Sequence, residues 1–135
     1  MRKGFTLVEL LIVLAVIAAL MAVATPLALN AVKNAKASQV AQNLRALKTA
    51  VETYFYTEKE VPTSIDSVTS YLSSNFAKSD YELNPSDNDL SDGLAKINVY
   101  YNKTDVTADL VKKNLPEATE VSGKPGIVID LRKYW

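Results

Sequence analysis

The 135-residue chain has no cysteine, no histidine, only four glycines and no excess of either charge, with fifteen lysines and arginines against fifteen aspartates and glutamates. Each absence excludes something. Without cysteine, no disulfide can staple the outer part of the chain. Without histidine, the usual general base and the commonest metal ligand are missing. No glycine-rich phosphate loop is present and no nucleophile stands at a defensible spacing from a base, so no enzyme is expected. The balanced charge lacks the basic excess typical of nucleic-acid binders. Aromatics make up 8% of the residues, an ordinary share that strand and core roles can absorb.

What is present is an apolar beginning. Arg2, Lys3 and Gly4 precede a run in which Leu10 to Val32 carries no charge, about 23 residues where roughly 20 span a bilayer. Glu9 stands five residues after Gly4. A carboxylate within a membrane helix costs about 2.5–3.5 kcal/mol on insertion scales, so it needs a partner or a task. Three readings compete: a secretory signal ending in Ala22-Val23-Ala24, a plain single-span anchor, and a leader cut between Gly4 and Phe5 that leaves the apolar helix on the mature protein. Neither of the first two gains anything from Glu9.

Gly4-Phe-Thr-Leu-Val-Glu9, followed by the apolar run and Pro26, strongly resembles the processing site of type IV pilins and pseudopilins over about the first 60 residues. The resemblance implies cleavage by a prepilin peptidase after Gly4, N-methylation of Phe5, and pairing of Glu9 with the terminal amine of a neighbouring subunit. Loss of the leader leaves the charge slightly acidic. The physics is consistent with such a pair. The new amine, with an unperturbed pKa of about 7.7–8, must leave water together with the carboxylate, and pairing the two favours one axial stagger. Phe5 and Glu9, four residues apart, could also pair within one helix, and a first-turn carboxylate suits the helix dipole in any case. Many members of the family close a C-terminal loop with a disulfide; this chain must rely on packing.

Pro26 is a candidate helix break, with a kink or local melt expected there; the family's helix loosens at the matching place. Beyond it, Val40, Leu44, Leu47, Val51 and Phe55 form an amphipathic stripe. Residues 5–57 are therefore expected as one helix about 80 Å long at 1.5 Å per residue, with 5–27 in membrane or filament core and 28–57 amphipathic. Residues 58–135 are expected to form a small head, giving an α+β fold with the long helix packed on a small antiparallel sheet. Lys33, Lys36, Arg45 and Lys48 read as a solvated helix face. DNA binding, known for some members of the family, is the lesser alternative.

In the head, Thr63-Ser-Ile-Asp66 reads as a capped helix start with Ile65, Val68, Leu72 and Phe76 along a helix of about 64–75. Residues 78–95 read as an acidic loop. Asp87, Asp89 and Asp92 are weak calcium candidates, because the stretch fails the EF-hand pattern at Ser91, Gly93 and Asn98, and no other cofactor or metal is expected. Ile97, Val99 and Tyr101 alternate as a strand, 105–115 reads as a short helix, and 119–121 and 127–131 as strands joined by a loop over 122–126. The aromatic clusters Tyr54-Phe55-Tyr56, Tyr100-Tyr101 and Tyr134-Trp135 carry a minor electron-transfer reading. Asn102-Lys-Thr104 is a sequon of no weight.

The resemblance implies a pilin that starts in the inner membrane as a single-pass prepilin, N-terminus cytoplasmic. It would then polymerise into a surface filament with the help of an assembly platform and minor pilins. The alternatives are a pseudopilin of a type II secretion or DNA-uptake apparatus, and, from another class, a monomeric secreted or anchored protein. Glu9 argues against a tip subunit, which in the family typically lacks it.

Overall fold

The computed structural model describes Gly4 and residues 6–135. The chain divides into two compact units, Met1–Asn34 and Ala35–Trp135. Helix α1, Leu7–Glu58, runs from one into the other. It continues unbroken through Pro26, so the local melt expected there is not seen. Proline removes one ladder donor and crowds the carbonyl four residues back, here that of Ala22. One lost bond is tolerated in a long helix whose neighbouring turns stay intact.

In the second unit the amphipathic stripe is the core. Val40, Leu44, Leu47, Val51 and Phe55 are each no more than 1% exposed, and they pack with the inner face of a four-stranded sheet. The strands are β1 (Tyr81–Asp87), β2 (Leu94–Tyr101), β3 (Thr119–Val121) and β4 (Lys124–Arg132), all antiparallel in the order β1-β2-β4-β3. Inward Ile97, Val99 and Tyr101 alternate with outward Lys96, Asn98 and Tyr100 along β2, as the period of two requires. Leu44→Ala should lower the unfolding free energy of this unit by about 2–5 kcal/mol through lost burial and a residual cavity. Urea titration of the variant measures it.

Several local expectations are corrected. Residues 81–87 are a strand, not part of a loop. Tyr81 and Leu83 alternate inward, and Pro85 is tolerated because β1 is an edge strand with an irregular register between Pro85 and Asp87. Residues 65–71 form a 3₁₀ helix rather than an α-helix. Ile65, Val68 and Tyr71 repeat at three residues, the 3₁₀ period, and the start is Ser64 without a side-chain cap, not a Thr63 capping box. The second α-helix, α2, is Ala108–Asn114, with Thr107 accepting from the Leu110 amide. The five-residue loop over 122–126 shrinks to a two-residue turn. Ser122 and Gly123 both take positive φ (53° and 78°), the geometry that matches strand twist in a tight hairpin, and Val121 pairs with Lys124.

Four phenols in this unit hold their protons above the ordinary value near 10, among them Tyr100, whose hydroxyl donates to the Glu82 carboxylate. Burial raises Tyr101, with the Asp105 carboxylate adding to it, and burial raises Tyr81 against the opposing hydrogen bond from the Asn43 amide. Tyr54 is pushed up to about 12, chiefly because its hydroxyl donates to the Glu60 carboxylate. A raised folded-state pKa means that the unfolded chain loses the proton first. Stability from these groups is therefore complete below about pH 10 and falls as pH rises through the folded values. Thermal melts should be level up to about pH 9 and drop as pH rises from about 10 toward about 12.

Candidate assembly segment

The helix start is built by Thr6 and Glu9. The Glu9 amide donates to Thr6 Oγ1 and the Thr6 amide donates to Glu9 Oε2, both at 3.2 Å, while the Leu10 amide reaches the Thr6 carbonyl at 3.1 Å. This is a reciprocal capping box, which satisfies two backbone donors that a helix otherwise leaves open. Glu9 thus has a task within its own chain that its charge alone does not reveal. The signal was in the spacing Thr6-Leu-Val-Glu9, the Thr-x-x-Glu pattern before an apolar run. The intrachain Phe5–Glu9 pair and the modification at Phe5 involve a residue outside those described. Gly4 has φ +109°, and a Cβ added there would meet nothing within 4 Å, so backbone conformation, not crowding, selects glycine at that position.

From Leu7 onward the first unit presents apolar side chains all round the helix. The large ones range from 47% exposed at Ile17 to 73% at Leu7, and no residue between Leu7 and Ala35 is buried. The helix is long and apolar enough to cross a membrane. An apolar stripe on one side would mean packing on a domain; an apolar surface on all sides means surroundings that are themselves apolar.

The remaining candidates scatter. Lys36 lies over the Tyr101 ring at 5.8 Å and Lys48 binds Glu117 at 2.5 Å, while Lys33 and Arg45 are exposed. Two of the four are thus engaged by groups of the head and two are exposed. In the acidic connection between β1 and β2, Asp87 accepts from the Asp89 amide, Asp89 from Ser91 and Asp92 from Leu94. The backbone and hydroxyl of Ser91 hold Asp89 below the usual carboxylate range. These carboxylates are used as turn formers. No group of three or more metal-ligating side chains comes together among the described residues. The sequon amide of Asn102 donates to Glu82 and its Oδ1 accepts from Lys124, so its side chain is engaged on the sheet.

Comparison with known proteins points to the same segment. The prokaryotic N-terminal methylation motif matches residues 1–25. Two type IV major fimbrial proteins FimA of Dichelobacter nodosus are each 40% identical over 60 residues, covering 44% of this chain and 38% of theirs. The type IV major alpha-pilin of Moraxella bovis is 34% identical over 87 residues, covering 64% of this chain and 55% of its own. The match thus spans about half or less of the length of these relatives. No solved structure matches the chain.

Proposed function

We propose that this chain, a type IV pilin-like protein by its N-terminal segment, is a structural subunit that polymerises into a pilus filament after a prepilin peptidase cuts between Gly4 and Phe5 and the Phe5 amine is methylated. The observation that carries the proposal is the half-helix that is apolar on every side and opens on the Thr6–Glu9 capping box. Burying one large apolar side chain is worth about 1.5–3 kcal/mol. More than a dozen exposed together exceed the net stability of about 5–15 kcal/mol that a whole domain has. The segment therefore serves in lipid or in a helical bundle, not in water. Lipid tails are as apolar as leucine, so moving the helix from membrane to bundle gains little from the hydrophobic effect. Direction and register then fall to polar groups, and Glu9 with the neighbour's Phe5 amine is the pair that supplies them.

The partners that follow are further copies of the chain, the peptidase, an inner-membrane assembly platform and minor pilins. The precursor sits in the membrane with its N-terminus cytoplasmic, and the filament carries the heads outside. The work is structural, not catalytic. N-terminal mass spectrometry of the mature protein from its native source tests this directly. A methylated Phe5 terminus is expected. A terminus at Thr25 would mean a conventional signal peptide and would remove the filament reading with it.

A further inference from the structure

The far end of α1 has an unusual problem. Its last turn contains no basic residue and closes on Glu58, the wrong charge for a helix C-terminus. The next residue, Lys59, takes φ 59°, the left-handed conformation that glycine ordinarily supplies there. Local sequence therefore offers neither a cation within the last turn nor a glycine after it. The Lys59 amide closes onto the Phe55 carbonyl at 3.0 Å, and the Tyr56 carbonyl is satisfied from a distance, accepting from the Tyr134 hydroxyl at 2.8 Å across 78 positions of sequence.

We propose that Tyr134 is a remote C-cap of the long helix, making closure of its last turn depend on the register of β4. Three contacts position the hydroxyl. The Lys133 amide donates to the Gly93 carbonyl at 2.7 Å, the Tyr134 ring meets Tyr56 at 5.6 Å, and Trp135 covers Phe55 at 5.1 Å. All follow directly after β4, the strand paired on both sides, with β2 and with β3. A slip of β4 by one residue moves this segment about 3.3 Å and turns its side chains to the opposite face. The hydroxyl then no longer reaches the carbonyl. The end of α1, and with it the Glu58–Thr63 junction, is set only when the sheet is correctly assembled.

Hydrogen exchange on the full chain in detergent micelles tests the cap. Tyr134→Phe keeps the ring contacts and deletes only the hydroxyl. Amides of residues 55–60 should exchange about three- to tenfold faster, the range expected for losing one such hydrogen bond, with β2 and β4 unchanged. In a Lys59→Gly background, where a local glycine ending becomes available, the Tyr134→Phe effect should shrink by at least half. Unaltered exchange at 55–60, a rise spread evenly over the sheet, or an undiminished effect in the Lys59→Gly background would each overturn the proposal.

Discussion

Glu9→Ala is expected to be cut at the normal place and to yield almost no filament. Two losses are combined in that variant. The Glu9 half of the capping box is lost, so that the Thr6 amide no longer has its carboxylate acceptor, and in the proposed filament the neighbour's terminal amine is left in an apolar bundle without its partner. Removing one member of a buried charge pair costs about 3–5 kcal/mol, on the order of a hundredfold or more in the equilibrium for adding a subunit. Two further variants separate the terms. Glu9→Gln keeps a side chain able to complete the capping box but removes the charge. Thr6→Ala removes the hydroxyl that accepts the Glu9 amide but keeps the carboxylate. If register depends on charge, Glu9→Gln fails like Glu9→Ala while Thr6→Ala assembles. Counting filaments by electron microscopy, with membrane-bound precursor and mature subunit quantified alongside, gives the answer. Normal filament yield from Glu9→Gln would sink the charge argument, and failure of Thr6→Ala alone would assign Glu9 to the helix start.

Gly126→Ala should be the most damaging single methyl group in the head. Gly126 sits in β4 opposite Tyr100 of β2 and Thr119 of β3. A Cβ there would lie 2.5 Å from the Val99 carbonyl oxygen and 2.7 Å from the Tyr100 Cβ, with Val121 at 3.0 Å. The nearest atom is backbone, held in the sheet, so no side-chain rotation relieves the clash and the strands must move apart. Overpacking of this kind typically costs about 1–3 kcal/mol, occasionally more; with a backbone oxygen in the way, the upper end is expected. Gly123→Ala, where the added carbon meets only the flexible Glu120 side chain at 4.0 Å but φ is +78°, should cost less, about 1–2 kcal/mol from conformation alone. Urea midpoints of the two variants, compared in one detergent, give the order. A smaller loss at Gly126 than at Gly123 would mean that the sheet yields more easily than its pairing suggests.

The legible parts of the chain are those in which one local pattern has a single physical outcome. The stripe from Val40 to Phe55 predicts a buried helix face because a 3.6-residue period leaves no other way to gather five large apolar side chains on one side. Strand β2 follows from alternation in the same way, and β3 and the core of β4 from the turn-rich stretch between them. Strand β1 is hidden because Asn84, Pro85, Ser86 and Asp87 have loop chemistry. They hold a strand only because β2 offers an edge to pair with, and that edge does not exist until the sheet forms. The 3₁₀ segment at 65–71 is hard to tell from an α-helix for a related reason, since periods of 3.0 and 3.6 hardly diverge over seven residues. Glu9 is legible as a residue with a task, but its charge points outward to a partner and away from Thr6, three residues before it.

By itself, then, the sequence determined that the first half of α1 cannot live in water, that its start carries one significant carboxylate, and that the head must hold together without covalent help. These are consequences of composition along a single stretch, and local chemistry decides them. Only the tertiary structure decided that a proline-bearing acidic segment becomes an edge strand, that Gly126 is demanded by a neighbouring backbone, and that the end of α1 is capped by a tyrosine 78 residues away. Each of these depends on groups far apart in sequence meeting at hydrogen-bond or van der Waals distance. No local pattern encodes such a meeting.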